Sequence, residues 1–151
     1  MILSRTLVAA AAVLIAGTAQ ADILTQWNFN SVPADGNTGT GTIVASTGAG
    51  AASVVGGTTA TFANGAANGG SSDPSPTADD SGWNLTAFAA QGSADKSRGA
   101  QFLVSTEGWQ DISISYDLRH SNTASSIEVV QITLDGGLTF SDVASFSGNA
   151  G

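Results

Sequence analysis

Between Asp22 and Asn30 the chain reads DILTQWNFN, which sets Ile23, Thr25, Trp27 and Phe29 on one face of an extended backbone and Leu24, Gln26, Asn28 and Asn30 on the other. Alternation with period two, rich in aromatic and β-branched residues, predicts a half-buried strand. Pro33, Asp35, Gly36 and Asn37 follow as a turn cluster, since each either fixes or frees the backbone. From Thr38 to Phe62 the short runs TIVAS, ASVV and TTATF are divided by Gly39, Gly41, Gly48, Gly50, Gly56 and Gly57. They predict short strands joined by tight turns. Residues 63–80, ANGAANGGSSDPSPTADD, have no periodicity and predict a loop longer than the usual connection.

The second half is patterned more strongly. GAQFLVST, Gly99 to Thr106, is a short apolar run, and WQDISISYDLRH after Glu107-Gly108 places Ile112, Ile114, Tyr116 and Leu118 on one face. Ser113, Ser115, Asp117 and Arg119 take the other face, the pattern of a strand packed on one side and wetted on the other. After a turn over Ser121 to Ser125, the runs IEVVQITL and LTFSDVASF predict two more strands, Ile127–Leu134 and Leu138–Phe146. Trp83, after Ser81-Gly82, and Trp109, after Gly108, open strands at loop junctions. No stripe of helical period appears beyond the first residues. Many short strands with turn signals and no helices predict an all-β fold, an antiparallel β-sandwich of jelly-roll type. A jelly roll that pairs its first and last strands would lack one or more final strands here.

The first residues differ from the rest. MILSRTLVAAAAVLIAGTAQA carries one cation, Arg5, an apolar run from Leu7 to Ala16, and small residues at Ala19 and Ala21. These are the parts of a secretory signal peptide, residues 1–21, cut before Asp22. The run is shorter than the roughly 20 residues that span a bilayer. Removing 21 of 151 residues leaves 130, residues 22–151, the size of a single domain. No second apolar run follows, so no membrane span is expected in the mature chain.

Charge narrows the partners. Charged residues are 11% of the chain, against about 25% in an average soluble protein. Lys96, Arg98 and Arg119 stand against 12 acids after cleavage, a net charge of −9. Nucleic acid is excluded as a partner by that field, since phosphate binding needs clustered Lys and Arg. The chain has no cysteine, which removes disulfides, thiol nucleophiles and thiolate metal sites together.

The candidate chemistry is sparse. His120 is the single histidine, and without a Gly-x-Ser-x-Gly elbow it predicts an exposed strand end rather than a triad member. The acid pairs Asp111 with Asp117 and Glu107 with Glu128 could be proposed for glycoside hydrolysis, but solvent-facing strand and turn positions explain them. No catalytic residue is expected, so the chain reads as a non-enzyme, with a sugar hydrolase or lyase the nearest enzyme class. Calcium suits the oxygen-rich loops better, with Asp35 and Asn37, or Asp73, Asp79 and Asp80, as candidate ligands. Neither set follows an EF-hand loop, and no other cofactor is expected. Trp83 and Trp109 are candidate platforms for sugar rings, while Trp27 belongs with core positions.

In TLDGGLTF, Thr133 to Phe140, Asp135 can accept from the N–H groups that follow it, and Gly136 and Gly137 supply the positive φ of a tight turn. Thr139 and Phe140 begin the returning strand. The spacing Thr-x-Asp-x-Gly-x-Thr-Phe resembles the Asp-box of sialidases and other β proteins, which implies a structural turn and not a catalytic site.

Taken with the signal segment, the opening ADILTQWNFN, the Gly/Ala/Asn-rich strands and the phrase YDLRHSNTAS, the chain resembles the PEP-CTERM (exosortase-sorted) exported proteins of Gram-negative bacteria. The likeness covers most of residues 22–151 and is strongest from Trp109 to Phe140. It implies an extracellular or cell-surface location, the periplasm being the alternative compartment, and association with extracellular polysaccharide or other surface proteins. Such proteins end in a Pro-Glu-Pro motif, an apolar helix and basic residues, which this sequence does not contain. A shortened product, or release in place of sorting, is expected on that ground. The function expected is a structural or adhesive surface module, with a carbohydrate-binding β-sandwich as the alternative.

Overall fold

The computed structural model describes residues 22–67, 79–90 and 92–148. Eight strands form among them: β1 (Thr25–Gln26), β2 (Thr47–Gly48), β3 (Ala51–Val55), β4 (Thr59–Asn64), β5 (Ser81–Thr86), β6 (Gly99–Leu103), β7 (Ile127–Ile132) and β8 (Ser141–Ser147). They pair antiparallel as β1 with β2, β3 with β6, β4 with β5 and β7 with β8. The described chain is therefore all-β, built of several small antiparallel sheets. Among the described residues no helix is long and apolar enough to cross a membrane.

Two ladders are nested in sequence, β4–β5 lying inside the interval closed by β3–β6. The turn between β3 and β4 is closed by Thr58 N donating to Val55 O, 3.2 Å. On β4–β5 the register sets Phe62 opposite Trp83 and Ala60 opposite Leu85 on one face. The other face is polar: Thr59 and Thr86 hydroxyls meet at 2.7 Å, and Asn84 Nδ2 donates to Thr61 Oγ1 at 3.1 Å. The same alternation on β3–β6 sets Ala52 opposite Phe102. The two apolar faces meet where the Phe102 and Trp83 rings stand 6.0 Å apart, edge to face. Trp27 joins Phe102 at 5.0 Å and Phe29 stacks on Trp83 at 5.6 Å. This row of four rings is the centre of the packing, each such pair adding about 0.5–1.5 kcal/mol beyond its buried area.

Several expected strands are shorter than the pattern suggests, or do not form. The strand expected over Asp22–Asn30 pairs only at Thr25 and Gln26. Phe29 takes a φ of 61°, outside the extended region, and its carbonyl turns to accept Thr42 N at 3.1 Å. TIVAS forms no strand, although Ser46 N donates to Gln26 O at 2.8 Å. The strand expected from Trp109 to His120 is part of no ladder among the described residues. Its alternation holds, and its contact with the β7–β8 ladder is made by side chains, Tyr116 meeting Phe146 edge to face at 6.4 Å. The leader expected at residues 1–21, Asp73, and residues 68–78 of the expected 63–80 loop lie outside the described residues. The ends of that loop are ordered into structure: β4 runs to Asn64, and Asp79 and Asp80 are buried.

Candidate functional site

The most deeply buried side chain described is a carboxylate. Asp79 is 1% exposed, and its two oxygens gather the loop after β1 onto the start of β5. Asp79 Oδ2 accepts Ser31 N and Asp35 N, each at 3.2 Å, and Oδ1 accepts the Ser81 hydroxyl at 3.1 Å. Ser81 N donates to Asn30 Oδ1 at 2.8 Å, and the same Ser81 hydroxyl lies 2.6 Å from Thr40 O. Asn30 and Ser81 are themselves buried. A charged group costs several kcal/mol to desolvate, and donors aimed at the charged form are the means of offsetting it. Asp80 adds a backbone tie, its carbonyl accepting Gly65 N at 2.7 Å.

Asp35 and Asn37 form the outer layer of this cluster. Asp35 Oδ1 accepts Asn37 N at 2.9 Å, Oδ2 accepts the Thr40 hydroxyl at 2.6 Å, and Asn37 Oδ1 accepts Gly39 N at 3.0 Å. The Thr40 hydroxyl, followed by the Asn37 amide, holds the Asp35 carboxyl below its ordinary range. Asp35, Asn37 and Asp79 are thus brought together, Asp79 accepting the Asp35 N–H. Their oxygens face hydrogens, which is the reverse of what a cation requires. Asn30 Nδ2, a donor, is buried here without a protein partner, and it too disfavours a cation. Among the described residues no group of three or more His, Cys, Asp or Glu is placed to hold a metal ion. Sequence reasoning found Asp35, Asn37, Asp79 and Asp80 as oxygen sources and missed Asn30, Ser31, Thr40 and Ser81. The signal present was an Asn at the end of a strand-like run and a Ser opening the next strand; their meeting across about fifty residues left no local trace.

The turn between β7 and β8 runs from Thr133 to Phe140. Asp135 Oδ1 accepts Leu138 N at 3.0 Å and Thr139 N at 2.9 Å, and Oδ2 accepts the Thr139 hydroxyl at 2.6 Å. Thr133 Oγ1 donates to Asp135 Oδ1 at 2.8 Å and accepts Gly137 N at 2.9 Å. Gly136 and Gly137 take φ of 74° and 94°, values that other residues adopt at a cost. The Thr139 hydroxyl and amide, with Thr133, hold the Asp135 carboxyl well below the usual carboxylate range. These N–H groups go to side chains and not across the ladder, so β7 ends at Ile132 and β8 begins at Ser141, inside the expected limits. Phe140 stays half exposed at the end of the turn.

The two tryptophans proposed for sugar contact are placed differently. Trp83 has Phe29 on one face and Phe102 at its edge, and it borders an open cavity of about 380 Å³ with Ile43, Val54, Ala60 and Phe62. That lining is mainly apolar, with Thr42 and Ser53 as its hydroxyl-bearing members, whereas a polyol is held by convergent hydrogen-bonding groups. Trp109 is 44% exposed, on a turn closed by its own N–H to Thr106 O at 3.0 Å. Gly108 and Asp111, at φ of 80° and 54°, bend the chain on either side. Trp27 is half-buried, with Nε1 donating to Ile43 O at 3.0 Å.

Of the acids weighed for catalysis, Glu107 and Asp111 are exposed on that turn, and Glu128 sits on β7 facing Tyr116. Partial burial, and then the charge of Glu128, hold the Tyr116 phenol above its ordinary value. His120 is half-buried against Gly148 and lines an open groove with Tyr116, Glu128 and Phe146. Lys96 pairs with Asp142 across to β8.

Comparison of the chain with models of protein families, with curated proteins and with solved structures gives no match.

Proposed function

We propose that the chain is an exported, non-enzymatic structural or adhesive module that acts at the cell surface or in the extracellular polysaccharide matrix of a Gram-negative bacterium. One observation carries this reading: the acids best placed for chemistry bind the chain itself. Asp35, Asp79 and Asp135 take two, three and four donors in turn from neighbouring amides and hydroxyls. Carboxylates engaged in this way rigidify the loops that supply the donors. The low-charge surface rich in Gly, Ser and Thr and the resemblance to PEP-CTERM proteins support the same reading.

The fold proposed with it is a jelly-roll-like sandwich. Support comes from the nesting of β4–β5 within β3–β6 and the contact of their apolar faces at Phe102 and Trp83, since nested antiparallel ladders are the central pairs of a jelly roll. The test of export is expression of the full chain in a Gram-negative host, fractionation, and N-terminal sequencing. A mature start at Asp22 outside the inner membrane is expected, and retention of an uncut chain in the cytoplasm refutes the proposal.

A carbohydrate-binding module is the second reading, favoured by the exposure of Trp109 beside the polar side chains of Glu107 and Gln110. A glycan array separates the two: binding that Trp109→Ala abolishes while the fold is kept supports the module, and no binding leaves the structural reading.

A further inference from the structure

Between residues 114–120 and the β7–β8 ladder lies an open groove of about 500 Å³. Glu128 on β7 and Phe146 on β8 are opposite one another in the ladder, so their side chains stand on one face. Tyr116 meets that face twice, its ring lying edge to face with Phe146 at an interplanar angle of 79° and its phenol facing the Glu128 carboxylate. His120 brings its imidazole to the lining through space that a side chain at Gly148 would fill, since a Cβ there would fall 1.9 Å from Nδ1. Ile114 and Leu118 add aliphatic surface that is still 73% and 53% exposed. Asp117 and Arg119, which have interactions of their own, do not line the groove. Glu128, half-buried, is the one carboxylate among the described lining residues.

We infer that this groove binds a small organic cation, an ammonium group on an apolar body, with Glu128 as its counter-ion and the Tyr116 and Phe146 rings as its walls. Every other class of ligand leaves part of the lining unmatched. A wholly apolar molecule would strip water from Glu128 and put nothing in its place, which is costly. An anion meets the Glu128 charge at short range and an acidic chain beyond it. A neutral polyol needs hydrogen-bonding groups that converge on it, and Ile114, Leu118 and Phe146 offer none. An ammonium ion on an apolar body uses each part of the groove. Its charge-assisted bond goes to the carboxylate, and the two rings, nearly at right angles, form a corner in which a cation is drawn to a ring face. Its apolar body covers the exposed surface of Ile114 and Leu118. A carboxylate has about four acceptor positions, so Glu128 can face the Tyr116 phenol and hold the cation together. The acidic chain adds a long-range attraction for the same sign of charge.

The chain has one tyrosine and one histidine, and both line the groove. Isotope labelling of these two residue types therefore places a single ring signal of each at the site in an NMR titration of the full chain. The probes are phenethylamine, a cation at neutral pH, and phenethyl alcohol, its neutral counterpart. Saturable shifts of both the Tyr116 and the His120 signals are expected with the amine, at an affinity about tenfold or more above that for the alcohol, as for a hydrogen bond to a charged group. Glu128→Gln keeps an acceptor oxygen for the Tyr116 phenol and removes the charge. It is expected to bring the amine down to the affinity of the alcohol and to leave the alcohol unchanged. Equal affinity of the two probes for the wild-type chain marks an apolar groove only and overturns the inference without recourse to a variant. Shifts at neither ring, or a preference for the amine that survives in a folded Glu128→Gln chain, overturn it as well.

Discussion

Removing the Asp79 carboxylate is the perturbation that bears most directly on how this chain is held together. Asp79→Ala leaves Ser31 N and Asp35 N without their acceptor, both in a part-buried setting. The Ser81 hydroxyl keeps Thr40 O as its alternative at 2.6 Å, so it adds little. Each orphaned N–H costs about 1–3 kcal/mol, which gives about 2–6 kcal/mol before relief of carboxylate desolvation is counted. That relief lowers the expected net loss to about 2–4 kcal/mol. Asp79→Asn keeps one acceptor oxygen and turns an NH₂ toward the second site, for an expected loss of about 1–2 kcal/mol. Urea unfolding followed by tryptophan fluorescence reads both, because Trp27 and Trp83 lie in the adjoining aromatic row. At a slope of about 1–3 kcal/mol per molar urea the Asp79→Ala midpoint falls by roughly 0.7–4 M with the slope unchanged. Asp95→Ala, on an exposed turn, serves as the control and should not move it. If both Asp79 variants unfold within 0.5 kcal/mol of the wild type, a threshold for surface substitutions at about that size, the buried carboxylate does not hold the 31–40 loop and the reasoning fails.

Three further outcomes are expected. Asp135 is held ionised below its ordinary value of 3.8 by Thr139, Thr133 and Leu138, so the stability it contributes is full above that value and is lost as pH falls through its lower folded value. Asp135→Ala should therefore lower the urea midpoint at pH 7 and flatten its decline below pH 4; an acid profile parallel to the wild type refutes the assignment. Gly57→Ala meets no atom within 4 Å and should cost about 1–2 kcal/mol for a φ of 86° alone. Gly56→Ala should cost clearly more, since its Cβ would fall 1.7 Å from Ser97 O, and equal melting temperatures for the two would contradict the β3–β6 register. Trp83→Ala should cost about 2–4 kcal/mol, near the lower part of the range for a core tryptophan because it borders an open cavity, while Trp109→Ala should change the melting temperature little.

The alternation of polar and apolar residues was enough to read strand character along most of the described chain. GAQFLVST holds β6, ASVV and TTATF hold β3 and β4, and the two runs around TLDGGLTF hold β7 and β8. These are local matters: period two places one face inward, and a turn such as Thr133–Phe140 is closed by residues within a few positions of one another. Which strands pair was not legible. Both β3 and β4 pass over the tight turn between them and take partners from far along the chain, because a ladder is chosen by the packing of its apolar face and not by its own pattern. WQDISISYDLRH shows the same limit from the other side, since it has a strand's pattern and enters no ladder among the described residues.

The candidate site divides in the same way. Asp135 could be assigned its donors from the sequence, as they lie three and four residues away. Asp79 could be seen only as an acid in a polar loop, and its partners at Ser31 and Asp35 lie 48 and 44 residues off. By itself the sequence determined strand character, turn chemistry, the acidic low-charge surface and the lack of thiols, all of which follow from short-range backbone preference and composition. Only the tertiary structure decided the ladder pairing, the burial of one carboxylate among three donors, and the covering of Trp83 where Trp109 is left exposed, because each depends on which distant segments exclude water together.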